Sequence, residues 1–385
     1  MVRAVRKGAS MREVAARFGV SVGTVVNWVR QAHGKRLDRV NFTNCKPGRP
    51  WNRTPGEVEQ RILSARTSLR EESVLGEYGP DAIGLALRQD EALAQVPGRT
   101  TIYRVLARHG LLDGAHRQRR PAPPKGWYLP DLAAGRAELD SFDFIEELKI
   151  ADGPLVSALT GTSLHGALAD VWIIAQPRAA FTVDALIERW RRDGLPNYAQ
   201  FDNDAVFQGG HRFADSVGRV SRLCLALGII VVFAPPREPG FQNAIEGFNG
   251  LWQSKVWQRH RFPDVATLKS VSARYIAAYR AKTAGRREAA PSRRAFPHGF
   301  RLDLNTPLKG TIIFLRRSND AGAVHLLGTA FPVDKHWVHR LVRCEVNFTH
   351  RRIRFYALRR RDPNDQPLLR ELPYRRPDKP FHGTP

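Results

Sequence analysis

Cysteine is scarce in this chain. Cys45, Cys224 and Cys344 lie far apart and form no CxxC pair. Neither a disulfide framework nor a cysteine zinc site is indicated, and reducing cytoplasm is the default expectation. No apolar run approaches the length of a membrane span, and the first residues lack an apolar signal core. A soluble, unexported chain with no membrane partner is therefore expected. No internal repeat is evident. Acidic residues are also short: 37 Asp and Glu face 61 Lys and Arg, a net charge of +24 over 385 residues. Such an excess calls for a polyanionic partner, most simply nucleic acid.

The shortage of acid is uneven. Residues 1–130 carry 23 Lys and Arg against 11 Asp and Glu, and residues 286–385 carry 21 against 9. Residues 131–285 carry 17 of each sign. Two basic arms therefore flank a neutral middle. A protein that only coats DNA has no use for so acidic a middle, whereas an enzyme holding metal ions on carboxylates does.

In the first arm, 1–43, "ASMREVAARFGVSVGTVVNWVRQA" predicts two short helices around a turn at Gly19. Ser10 and Glu13 make a capping box, and Ser21 caps the second helix. Val14, Ala15 and Phe18 face inward from one helix, and Val25, Trp28 and Val29 from the other. This is the layout of a helix-turn-helix, with Ser21, Thr24, Asn27 and Arg30 the candidate DNA contacts. After the Pro/Gly/Arg linker at 44–56, residues 55–115 form a second helical block. Its last helix, "RTTIYRVLARHG", turns Ile102, Val105 and Leu106 inward and leaves Arg99, Thr100 and Arg104 for DNA. An ordinary amphipathic helix fits that segment equally well. A basic, Pro-rich connector follows at 116–126.

Residues 132–285 change character. Strands are expected at 136–148, at 153–174 (two, turning near Gly161), at 197–202 and at 229–235. Helices are expected at 182–194, 212–228 and 242–258. The order β-β-β-α-β-α-β-α predicts a mixed sheet with helices on its faces. Past a basic linker at 285–299, residues 305–361 alternate like the strands of a small β-barrel. Arg316, Arg317, Arg351, Arg352 and Arg354 stand on what should be its solvent side as further DNA contacts.

Three acids stand out. Asp140 lies inside the first strand, where an ionised carboxylate is costly unless paired or metal-bound. Asp202 ends a later strand, where ligands collect in open sheets. Glu246 sits beside the apolar stripe of the last core helix. Two neighbours compete with them. Asp143 lies on the opposite face of the strand from Asp140, so only one of the two can point at the site. Asp204 competes with Asp202, and in the preferred division of labour it shapes the turn. Converging carboxylates suit hard divalent cations, and two such ions can clamp an in-line phosphoryl transfer.

"ELD", "FDND" and "PPREPGFQNAIEGFNGLW" together resemble the core of the DDE transposase and retroviral-integrase superfamily. The flanking arms are similar to those of bacterial insertion-sequence transposases. The resemblance implies a multidomain α/β chain: a ribonuclease H-like mixed-sheet core between N-terminal all-α helix-turn-helix domains and a C-terminal small β-barrel. It assigns Asp140, Asp202 and Glu246 as catalytic and metal-binding, with two Mg2+ or Mn2+. Asn243 and Asn249 match the flanking asparagines, and Lys255, a further candidate DNA contact, stands near a family cation position that Gln253 occupies here. The implied activity is 3′-end hydrolysis and strand transfer at terminal inverted repeats and target DNA. A dimer or larger assembly on double-stranded DNA in the bacterial nucleoid follows. A DNA-binding regulator with a relic core, or a nuclease of the same fold, are the alternatives.

Overall fold

The computed structural model describes residues 1–37, 40, 54–90, 93, 95–112, 125–151, 153–210, 214–238, 240–360, 362–377 and 381. Cys45 and most of the connectors expected at 44–56 and 116–126 lie outside that set. The chain forms two compact units, Met1–Leu63 and Ser64–Pro385.

In the first unit, α1 (Val2–Arg6), α2 (Met11–Phe18) and α3 (Val22–Gln31) bury Val14, Ala15 and Val25. The local chemistry is as the residues dictate. Ser10 and Glu13 close a capping box, Gly19 ends α2 at φ 62°, and Ser21 Oγ accepts from the Thr24 amide. Phe18 departs from expectation. It is 48% exposed, with the Arg17 guanidinium over its ring.

Helix α4 (Gly56–Glu72) runs across the boundary between the units. In the second unit, α5 (Pro80–Arg88) packs on α6 (Arg99–Arg108), burying Ile83, Leu87, Ile102, Val105 and Leu106. A short α7 (Pro130–Ala133) leads into β1 (Leu139–Lys149), β2 (Leu155–Ser163) and β3 (Ala169–Ile174). Gly161 falls within β2 rather than at its turn. There the missing Cβ makes room for the Phe142 ring, whose carbons would stand 2.8–2.9 Å from it.

Then follow α8 (Ala179–Asp193), β4 (Tyr198–Phe201), α9 (Ala205–Gln208), α10 (Arg219–Ala226) and β5 (Ile230–Phe233). Next come α11 (Asn243–Trp252), a π-helical turn Gln253–Trp257, α12 (Val265–Lys282) and α13 (Ala284–Glu288). The remaining strands are β6 (Thr311–Arg317), β7 (Ala323–Leu326), β8 (Thr329–Pro332), β9 (Leu341–Asn347), β10 (Arg352–Ala357) and β11 (Leu368–Pro373). Among the described residues no helix is long and apolar enough to cross a membrane.

One nine-stranded mixed sheet organises the unit, in the order β11-β10-β9-β6-β5-β4-β1-β2-β3. β1, β4, β5 and β6 run parallel, and the outer pairs are antiparallel. The expected order of core elements holds, with α9 added. Side-chain alternation sorts the core by face. Phe142, Phe201, Val231, Phe233, Ile312 and Phe314 share a cluster with residues of α8 and α10. Ile145, Val156 and Ala158 pack instead with Ile245, Phe248 and Trp252 of α11.

The stretch 305–361 corrects the expectation of a separate barrel. β6 pairs in parallel with β5, and β9, β10 and β11 continue the same sheet. The physical reason lies in β6. "IIFL" is buried throughout, Ile312 and Phe314 on one face and Ile313 and Leu315 on the other. A strand apolar on both faces belongs inside a covered sheet. The linker before it is tied down as well. Leu195 and Arg294 exchange backbone hydrogen bonds, and Arg293 reaches the buried Asp140.

Candidate active site

Register alone brings two acids side by side. β1 and β4 are parallel, with Ser141 opposite Gln200. Two residues further along each strand stand Asp143 and Asp202. Asp143 points to the α11 face, where Asn249 Nδ2 donates to its Oδ2 at 2.8 Å and the Phe144 amide to its Oδ1 at 2.9 Å. Burial, the charge of Asp202 and that of Glu246 push the Asp143 carboxyl up to about 7. Burial and the nearby Asp204 and Glu146 charges also raise Asp202. Its Oδ1 accepts from the Asp204 amide at 3.0 Å. Asp204 itself caps α9, accepting from the Val206 amide at 2.7 Å. Glu246 is exposed on the first turn of α11, beside the buried Ile245, Phe248 and Asn249.

Asp140 does not join these acids. It is fully buried on the α8 face. Arg189 Nε donates to it at 3.0 Å, Trp190 Nε1 at 3.1 Å, and Arg293 through Nη1 at 3.0 Å and Nη2 at 2.8 Å. Burial alone would raise this carboxyl, but Arg189 and Arg293 outweigh it and hold the group well below the usual range. A carboxylate with two guanidiniums and an indole has no lone pair left to offer a cation. Asp140 is thus corrected from ligand to core counter-ion, and Asp143 is the acid of β1 that faces Asp202. Arg189 also binds Asp170, and Arg192 and Arg280 join Asp170 and Asp193 in the same network.

The all-oxygen, anionic set of Asp143, Asp202 and Glu246 matches a hard divalent cation in kind. Asp143 feels the charges of Asp202 and Glu246, yet among the described residues no three acidic, His or Cys side chains stand close enough to hold one ion. An open cleft of about 520 Å³ adjoins Asp202, lined by Asn203, Asp204, Ala234 to Glu238 and Gln242. Its floor is braced from the C-terminal part of the chain. Arg316 Nη2 donates to Asn203 Oδ1 at 2.8 Å, and Asn203 Nδ2 donates to the Ala234 carbonyl at 2.7 Å. This brace has no signature in the sequence, because its partners are 113 positions apart.

The candidate DNA contacts divide. Asn27, Arg30, Thr100 and Arg104 are exposed. Ser21 and Thr24 bond to each other at 2.9 Å, and Arg99 pairs with Asp81. Lys255 is turned inward, donating to the Gly76 carbonyl at 3.1 Å with its ammonium over the Tyr78 ring. Arg316 braces Asn203, Arg317 pairs with Glu238, and Arg352 pairs with Glu371. These four are corrected from free cations to internally partnered ones. Their strands and helix pack against other parts of the chain and so find partners there.

No family model matches the chain. Among solved structures, it is similar to a chain of the simian T-cell lymphotropic virus intasome in complex with PP2A regulatory subunit B56 gamma. That match has a TM-score of 0.33 and 12% identity, covering 69% of this chain and 84% of the other. The catalytic core domain of BIV integrase matches at TM-score 0.26 and 15% identity, over 37% and 81% of the two chains. The HTLV-2 integrase catalytic core in complex with magnesium matches at 0.28 and 12%, over 41% and 87%.

Proposed function

We propose that this chain is a DNA transposase or integrase, an enzyme that cuts DNA ends and joins them to a target by phosphoryl transfer. The observation that carries the reading is the placement of Asp143 in β1 and Asp202 just past β4, each two residues beyond the paired Ser141 and Gln200, with Asp143 raised by burial and by the charges of Asp202 and Glu246. Asp143 takes the role that the motif resemblance gives Asp140, while Asp202 and Glu246 keep theirs. Two Mg2+ or Mn2+ held by these acids would supply the Lewis acidity for in-line displacement at phosphorus. The chain's own residues hold the donors in place. Asn249 orients Asp143, the Asp204 amide orients Asp202, and the Arg316–Asn203 contact fixes the turn between them. The exposed faces of α3 and α6 supply contacts to double-stranded DNA. Chemistry on two ends calls for two such sites, hence at least a dimer on DNA.

The test is joining of a labelled DNA end to a target in Mg2+ or Mn2+. Asp143→Asn, Asp202→Asn and Glu246→Gln should each abolish joining and keep DNA binding near wild type. Full joining by Asp143→Asn would remove that residue from the role. The acids' present separation favours one other reading, a DNA-binding regulator with a relic core. Metal-dependent cutting rules that out, and cutting without joining would instead mark a nuclease.

A further inference from the structure

Arg317 and Arg352 of the C-terminal stretch are paired with acids of the chain, whereas other arginines gather without an ion pair. A cleft of about 490 Å³ is lined by Arg222, Arg351, Arg375 and Arg376, with Phe348 and Tyr374 among its walls. No ion pair joins these four guanidiniums to a carboxylate among the described residues. Arg222 is held by the Val217 carbonyl at 3.0 Å and the Leu304 carbonyl at 2.7 Å, and the Phe381 ring lies over it. Burial and the charge of Arg376 push it down to about 10. Arg376 Nε donates to the Asp215 carbonyl at 2.8 Å. The Asp215 carboxyl is engaged by the Tyr374 hydroxyl at 2.5 Å. Arg351 adopts φ 51°, a left-handed conformation that side chains rarely take and that recurs where a group must be aimed. The Tyr374 amide donates to its carbonyl at 2.8 Å and fixes that turn.

Four like charges from three separate segments repel one another unless an anion lies between them. Guanidiniums match phosphate oxygens through paired N–H donors. The cleft is open, and its cations come from segments distant in the chain, which suits a succession of phosphates better than one small anion. We infer that the cleft bounded by Arg222, Arg351, Arg375 and Arg376 is a docking track for the phosphodiester backbone of DNA, separate from the acidic site. The inference deepens the reading above and rests on it for the identity of the polyanion.

The test uses the full chain in EDTA, so that no cutting contributes. Duplex affinity is measured across salt concentrations for wild type and for the Arg351→Gln/Arg375→Gln double variant. Both side chains are exposed and make no hydrogen bond or ion pair among the described residues, so folding should survive. The expected result is weaker binding and a log–log salt slope smaller by about 2, near 0.9 per phosphate released. An Arg351→Lys/Arg375→Lys variant should keep most of the slope and serves if the first variant fails to fold. Lys269→Gln/Arg274→Gln, with the same charge loss on the exposed face of α12, should leave the slope unchanged. An unchanged slope in the first pair, or an equal loss in the α12 pair, overturns the proposal. So does tight inorganic phosphate binding that depends on Arg351 while duplex binding does not. Absent joining with a reduced slope would sink the reading of the acids and leave the track standing.

Discussion

Asp140 and Asp143 sit three residues apart on one strand and have opposite surroundings. Asp140 pairs with buried Arg189, which keeps Asp170 as a second carboxylate partner, so Asp140→Ala should cost roughly 1–3 kcal/mol through the buried donors left unmatched. Urea unfolding measures it, and a loss below 1 kcal/mol would contradict the ion-pair assignment. Asp143 behaves in the reverse way. Its folded pKa is about 7, against about 3.9 in an unfolded chain. Between those values the folded state keeps a proton that the unfolded state has released. Stability in metal-free buffer should therefore fall as pH rises from about 4 to 7 and then level off. Asp143→Asn should flatten that component, which unfolding midpoints at pH 5 and pH 8 would reveal. Period-two alternation in the sequence already shows that only one of the two acids can serve the site. It cannot say which, because Arg189 and Arg293 lie 49 and 153 positions from Asp140. The turn-shaping role of Asp204 was legible, since a short acid just before a helical turn is a cap by its chemistry.

Among the elements, β1, β4, β5 and α8 could be read from alternation, apolar runs and helical spacing. The role of β6 could not. Its "TIIFLRR" pattern is compatible with a small barrel, and only the pairing of Val231 with Ile312 shows that it extends the core. That pairing brings Arg316 under the turn holding Asp202. Arg316→Met should lower stability by roughly 1–3 kcal/mol, because Asn203 Oδ1 loses a charged donor. It should also slow joining more than it weakens DNA binding. Hydrogen exchange at residues 202–204 is the direct readout, and unchanged protection there would show that the brace carries no weight.

For the molecule as a whole, charge distribution set the middle segment apart in composition. It did not reveal where the C-terminal segment attaches. Deleting residues 305–385 would strip β6 from β5 and bare a fully apolar strand edge, which is an aggregation hazard. The shortened chain should be insoluble or oligomerise when expressed, and a monomeric, well-folded product would contradict the shared sheet. DNA binding by the intact chain should weaken steeply with salt because many phosphates are neutralised at once. A flat response in a titration series would leave the surplus of arginine without a polyanion to meet.

The tether from Arg293 to Asp140 has a mechanical consequence. Residues 285–299 would be slack rope if composition decided the matter. Here a guanidinium knots that rope to the base of β1, the strand that carries Asp143. A tug on β9 or β10 would travel through the knot to the strand that carries Asp143 instead of dying out in a loose loop.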